Sequence, residues 1–249
     1  MDQLQNYMYS ITIPFLSIWT LVFNIPETIY PLSLFCQFFS FIYARDALIP
    51  AGLWTIKATG GKFEMGFIED STVLCLLSII CLFNVGLTYF TNKQVLPLTP
   101  MKQSIYSTIG IGIMFSMAIY YPVYVYRQLT PMVFMTNVAN NFPLTLSNLF
   151  MCLSGNLMEE ILYRGFLARY LKSYGLSMIR SIFIQGALFT ILHMYLAFTV
   201  TNAGVVVLFF TFYEGLLCAY AEYKYGFLTS SIAHGLAIFY FCMFSYRFE

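Results

Sequence analysis

Long apolar runs free of Lys and Arg dominate this sequence. They fall near residues 7–24, 29–44, 71–91, 104–126, 144–163, 181–200, 203–221 and 227–246. A helix rises about 1.5 Å per residue, so about 20 residues cross the roughly 30 Å hydrocarbon layer of a membrane. The runs are too long and too continuously apolar for the in–out alternation of a barrel. The fold class they imply is all-α: a polytopic transmembrane helical bundle of about eight spans. The second run is short and either merges with the 47–56 stretch or is displaced by it. Pro14 and Pro122 fall inside runs and mark expected kinks, which membrane helices tolerate. The chain is 59% hydrophobic and only 9% charged, against about 25% charged residues in an ordinary soluble domain. That excludes a typical soluble enzyme, a nucleic-acid binder with a basic face, and a disordered chain.

The loops between runs are mostly short. The longest, Arg45 to Asp70, holds Gly60-Gly61 and charges of both signs, and a surface helix or a re-entrant piece is expected there. Arg169, Lys172 and Arg180 cluster between the fifth and sixth runs, which argues that this loop is cytoplasmic. The totals, 12 Lys+Arg against 11 Asp+Glu, point to no charged partner. None of the six cysteines forms a CxxC, and most sit in apolar runs, so they read as small buried hydrophobes. Met1-Asp2-Gln3 lacks the basic start of a secretory signal, so the first run is expected to remain as a span. No repeat or linker splits the chain. It reads as one integral membrane domain, with residues 1–143 as scaffold helices and 144–249 as the part that carries chemistry.

Five carboxylates and imidazoles fall inside the runs: Glu159, Glu160, His193, Glu214 and His234. Each costs about 2.5–3.5 kcal/mol or more to place in a bilayer, and such groups usually face the bundle interior. Glu160 and Arg164 are four apart on a helix with the acid N-terminal, so they share a face and suit an internal ion pair. Glu159 points about 100° away and has no partner in its own helix. A lone interior carboxylate is suited to act as a general base. Two imidazoles from separate helices and one glutamate also match the His₂Glu ligand set of catalytic zinc sites. Metal-free hydrolysis suits them equally, with Glu159 and His193 activating water and His234 stabilising an oxyanion. Spacing leaves both open, and His193 does not begin an HExxH motif. Glu214 is either a further site acid or a buried hydrogen-bond partner. Gly215 and Ala219 offer a small-residue face for close helix packing.

Taken together, Glu159-Glu160 with Arg164, Phe189 with His193, and His234 on successive late helices resemble the CPBP family (CAAX proteases and bacteriocin-processing enzymes, also called Abi proteins). Its hallmarks are EExxxR, FxxxH and HxxxN, and the resemblance covers roughly residues 150–240. It implies an intramembrane endopeptidase in which Glu159 is the water-activating base, His193 its partner and His234 the oxyanion stabiliser. Glu160 and Arg164 would be the structural pair, with Glu214 supporting. The family has been described both as metalloproteases and as metal-free glutamate proteases. The implied cofactor is therefore none, or a divalent metal such as Zn held by Glu159, His193 and His234. One position departs: Ile238 stands where the family carries Asn or Asp. An Ile side chain cannot donate to an oxyanion, and losing one such donor costs about 10²–10³ in rate. A slower protease, a substitute polar group such as Glu214, and a catalytically silent relative all remain open.

The expected partners are a hydrophobic or lipidated peptide substrate and the lipid bilayer, with no nucleic acid. The default location is a bacterial cell membrane, multi-pass. Two other classes compete: a non-enzymatic bacteriocin-immunity or interaction protein of the same fold, and a proton-coupled transporter. Against the transporter stand the lack of a repeat between halves and the absence of intramembrane charge from the first half.

Overall fold

The computed structural model describes residues 1–59, 62–93, 98–129, 132–134, 141–200, 204–243 and 246–248. Every apolar run is helical. α1 (Asp2–Asn24) and α2 (Tyr30–Asp46) meet at a bend of 113°, where Pro26 and a short 3-10 turn, Glu27–Ile29, interrupt the helix. α3 (Ser71–Asn92) begins at Asp70, whose side chain accepts from the amides of Thr72 and Val73 at 2.9 and 3.1 Å. That is an ordinary N-cap, satisfying two amides that lack a helical partner. α4 (Ile105–Leu129) carries Pro122. α5 (Phe142–Glu160), capped by Asn141, continues through a π-helical stretch, Ile161–Leu167, into α6 (Ala168–Ser173). α7 (Met178–Ile191) is followed by a π-helical turn, Leu196–Val200. α8 (Val205–Tyr225) and α9 (Phe227–Met243) complete the bundle.

The expected count of eight spans is not reached. Among the described residues four helical stretches are long and apolar enough to cross a membrane: Ser71–Asn92, Ile105–Val125, Met178–Val200 and Val205–Tyr225. The bent α1–α2 pair makes a fifth if it is one broken span. The reason is physical. The first two runs share one sharp corner, α5 carries Asn148, Ser154, Asn156, Glu159 and Glu160 among its 19 residues, and α9 has 17 helical residues, about 25 Å of rise. Large apolar side chains such as Ile13, Phe23, Ile79, Phe83, Phe90, Met114, Phe183 and Phe209 point outward. Only a lipid-facing surface accommodates so many.

Among the described residues the Arg45–Asp70 segment forms no surface helix. It holds an antiparallel hairpin, β1 (Trp54–Thr59) with β2 (Lys62–Phe67), in a register that leaves Gly60-Gly61 as the two linking residues. With β3 (Met132–Phe134) and β4 (Tyr246–Phe248) it makes a small antiparallel sheet of order β1-β2-β4-β3. An open sheet leaves unpaired edge groups, which hydrocarbon does not tolerate, so this sheet belongs at a membrane face.

Two close helix crossings position the interior. α7 and α8 meet at Gly186 and Gly215: a Cβ on Gly215 would lie 3.1 Å from the Gly186 Cα. α9 crosses α5 at Gly235, where a Cβ would lie 3.1 Å from the Leu153 Cα and 3.2 Å from the Cys152 carbonyl oxygen. This approach carries the preceding residue, His234, against α5. All six cysteines are free, and five of them are buried. Substituting Gly235→Val should push α9 off α5 and cost about 1–3 kcal/mol, the range for overpacking. The control Gly110→Ala, where a Cβ meets nothing within 4 Å, should be neutral or stabilising. Thermal unfolding in detergent checks both, with a drop of several degrees expected for the first only.

Candidate active site

The adjacent carboxylates at the end of α5 face different surroundings. Glu160 is fully buried. Its Oε1 accepts from Arg164 Nη1 at 2.8 Å and from His234 Nδ1 at 3.0 Å, and its Oε2 accepts from Ser230 Oγ. Arg164 Nη2 donates to the Gly215 carbonyl at 3.2 Å, and the guanidinium lies over the Phe189 ring at 4.5 Å. One carboxylate thus ties α5 and α9 together, and Arg164 extends the tie to α8. The pair expected from the i, i+4 spacing is present, although Arg164 sits in the π-helical stretch rather than in regular helix. Such π-bulges recur at functional sites.

Glu159 turns to the other side. Its Oε1 lies 3.8 Å from His193 Nε2 and 3.5 Å from Arg45 Nη1. His193 stands just past the end of α7, with its ring 4.4 Å from that of Phe189. Its Nδ1 is 2.7 Å from the Phe189 carbonyl, which can only accept, so Nδ1 carries a proton. Its Nε2 is 3.0 Å from Arg45 Nη1, which can only donate, so Nε2 is the acceptor of a neutral imidazole. His234 presents its Nε2 to Glu214, 3.6 Å from Oε1, too far for a hydrogen bond. Glu214 Oε1 has no hydrogen-bond partner among the described residues.

Glu159, His193, His234 and Glu214 line one cavity of about 840 Å³, together with Arg45, Asn156 and Ile238. Its walls are otherwise mostly apolar, from Phe41, Leu77, Val123, Phe210 and Phe241 among others. Trp54 and Ile56 of β1 and Met65 and Phe67 of β2 also line it. They are alternate residues, so they share one face of the hairpin. Glu160 and Arg164 lie outside this lining. The cavity can hold an apolar chain segment beside Glu159, which can accept from a water, and beside His193, whose Nε2 accepts from Arg45.

Arg45 and Ser230 are the residues that sequence reasoning missed. Arg45 lies one residue beyond the expected second run, but α2 extends to Asp46 and buries it. Its Nε donates to Asp46 at 2.9 Å and its Nη2 to the Leu192 carbonyl at 3.4 Å, and it lies 5.5 Å from the Phe41 ring centre. The available signal was an Arg-Asp dipeptide abutting an apolar helix. Ser230 precedes His234 by four residues and so shares its face, a pattern visible in the sequence.

The donors do not fit a divalent ion held by Glu159, His193 and His234. A guanidinium nitrogen already stands within 3.5 Å of the first two, where its positive charge opposes a cation. Among the described residues the trio whose ligand atoms lie within 4.8 Å of one another is Glu160, Cys218 and His234. There Arg164 already supplies the positive charge.

Residues 140–240, from just before α5 to within α9, match the family model of Rce1-like type II CAAX prenyl endopeptidases. Over these residues the chain is similar to the CPBP family. The matched Rce1-like segment carries Glu159, Glu160, Arg164, His193, Glu214 and His234, whereas Arg45 lies outside it. Comparison with curated proteins and with solved structures returns no match. The family and the apolar helices together mark an integral membrane protein of the intramembrane peptidase kind.

Removing one partner of a buried ion pair typically costs about 3–5 kcal/mol. Glu160→Gln, which strips the counter-charge from Arg164 and His234, should fall in that range by thermal unfolding in detergent. Glu159→Gln, whose cationic neighbour Arg45 lies at 3.5 Å, should cost far less.

Proposed function

We propose that the cavity hydrolyses peptide bonds in hydrophobic or membrane-anchored peptides, of the kind met in CAAX, propeptide or bacteriocin processing. The observation that carries this reading is the convergence of Glu159 and His193 on an apolar cavity while Glu160 is held by Arg164. Glu159 accepts one hydrogen of a water seated against His193, whose ring is held by the Phe189 carbonyl and Arg45, which leaves an oxygen lone pair aimed at the scissile carbonyl. As the carbon–oxygen bond forms, Glu159 takes the proton and negative charge moves to the carbonyl oxygen. His234 lies between Glu160 and Glu214. Two carboxylates favour a proton on each ring nitrogen, which makes Nε2 a donor for that oxygen. Collapse breaks the carbon–nitrogen bond, and the proton on Glu159 passes to the leaving amine. General-base groups of this kind contribute about 10²–10⁴ to a rate.

A second reading draws on Ile238, which lines the cavity without any donor: a non-enzymatic bacteriocin-immunity or interaction protein of the same fold. Full biological protection by Glu159→Gln would favour it.

Reconstituted in liposomes with labelled hydrophobic peptides, the wild type should cleave. Glu159→Gln and His193→Ala should each lose at least about 10²-fold in rate while keeping a cooperative thermal transition. Equal cleavage by all three proteins, or none by any, rejects the hydrolytic reading.

A further inference from the structure

Resting on the hydrolytic reading, we propose that Arg45 is a catalytic residue that supplies the oxyanion donor Ile238 lacks. Ile238 follows His234 by four residues and lines the cavity, so its side chain occupies the place where a second donor would be needed and provides none. Several other helix-borne donors that line the cavity are engaged with main-chain carbonyls. Tyr7 donates to Ala44 at 3.2 Å, Asn156 to Cys152 at 2.6 Å, Thr211 to Leu208 at 3.1 Å and Tyr213 to Ala118 at 2.8 Å. Arg45 is placed differently. Its Nη1 reaches into the small volume shared by Glu159 and His193, at 3.5 and 3.0 Å. The attacking water and the oxygen of an attacked carbonyl would meet in that volume.

The guanidinium is also held in advance. Asp46 accepts from Nε, the Leu192 carbonyl accepts from Nη2, and the Phe41 ring lies alongside. Only Nη1 is left directed at the two reacting side chains. Donors fixed before the reaction and walled by apolar side chains stabilise developing charge more than mobile ones do. The long contact to Glu159 is the one that exchanges. As the carbonyl oxygen gains charge it accepts a hydrogen bond from Nη1 in place of Glu159, and Glu159 is released to accept the proton of the water. Arg45 undergoes no covalent change.

The test is single-turnover and steady-state cleavage by wild type, Glu159→Gln, Arg45→Gln, Arg45→Lys, Ile238→Asn and the Arg45→Gln/Ile238→Asn double variant. Arg45→Gln should lower kcat by about 10²–10³, the effect of removing one oxyanion donor, with KM changed less than threefold. Arg45→Lys, which keeps a charged donor, should recover part of that loss. Ile238→Asn should raise kcat at least tenfold more in the Arg45→Gln background than in the wild type, because only there is the donor missing. A purely structural role for Arg45 predicts no such rescue. Wild-type kcat in Arg45→Gln, or a loss that neither Arg45→Lys nor Ile238→Asn relieves, overturns the assignment and leaves the hydrolytic reading standing if Glu159→Gln is inactive. If the wild type cleaves no better than Glu159→Gln, the hydrolytic reading fails and the role of Arg45 fails with it.

Discussion

A carboxylate sealed inside a membrane protein stays charged only if donors surround it. Glu160 meets that condition through Arg164, His234 and Ser230, and these contacts fix the centre of the bundle. Because the donors come from two different helical segments, the network specifies how α5 and α9 sit against each other. Arg164, through the Gly215 carbonyl, brings α8 into the same arrangement. The cost of leaving any member alone in a medium without water is what gives the network its geometric force.

The neighbouring carboxylate gains its different role from one helical step. A rotation of about 100° takes Glu159 out of that network and into the cavity, where its cationic neighbour, Arg45, is more distant. The same division recurs in the two histidines. His234 has one nitrogen bound to Glu160 and the other turned to the cavity, and His193 has its proton committed to the Phe189 carbonyl and its acceptor nitrogen turned to Arg45. Phe189 organises both: its ring contacts both imidazoles and the guanidinium of Arg164. In each case a structural bond made on one side of a group sets the direction in which its other side acts.

The cavity is mostly apolar, and part of its wall is a β-hairpin. The pairs Trp54 with Phe67 and Ile56 with Met65 face the interior from opposite strands. That hairpin was expected as a helix or a re-entrant piece, because the reading of this region rested on apolar run length. The sequence did carry the better signal. Gly60-Gly61 separates two segments with apolar residues at alternate positions, and that is the pattern of a two-residue hairpin.

Helical class, membrane residence and the intrahelical pairing of Glu160 with Arg164 were legible in the sequence, because each depends on spacing along one helix or on the length of one run. The family resemblance was legible for the same reason, its motifs being short and local. The number of full spans was not, since the corner at Pro26 decides whether two runs make one crossing or two. Nor was the partner of Glu159. Arg45 lies 114 residues away in sequence and reaches it only because α2 runs two residues past its apolar stretch and packs beside the end of α7. The chain's local chemistry determined which groups are buried in the membrane. Tertiary packing alone decided which of them meet, because a contact between distant helices is set by how their faces fit and leaves no periodic trace in either segment.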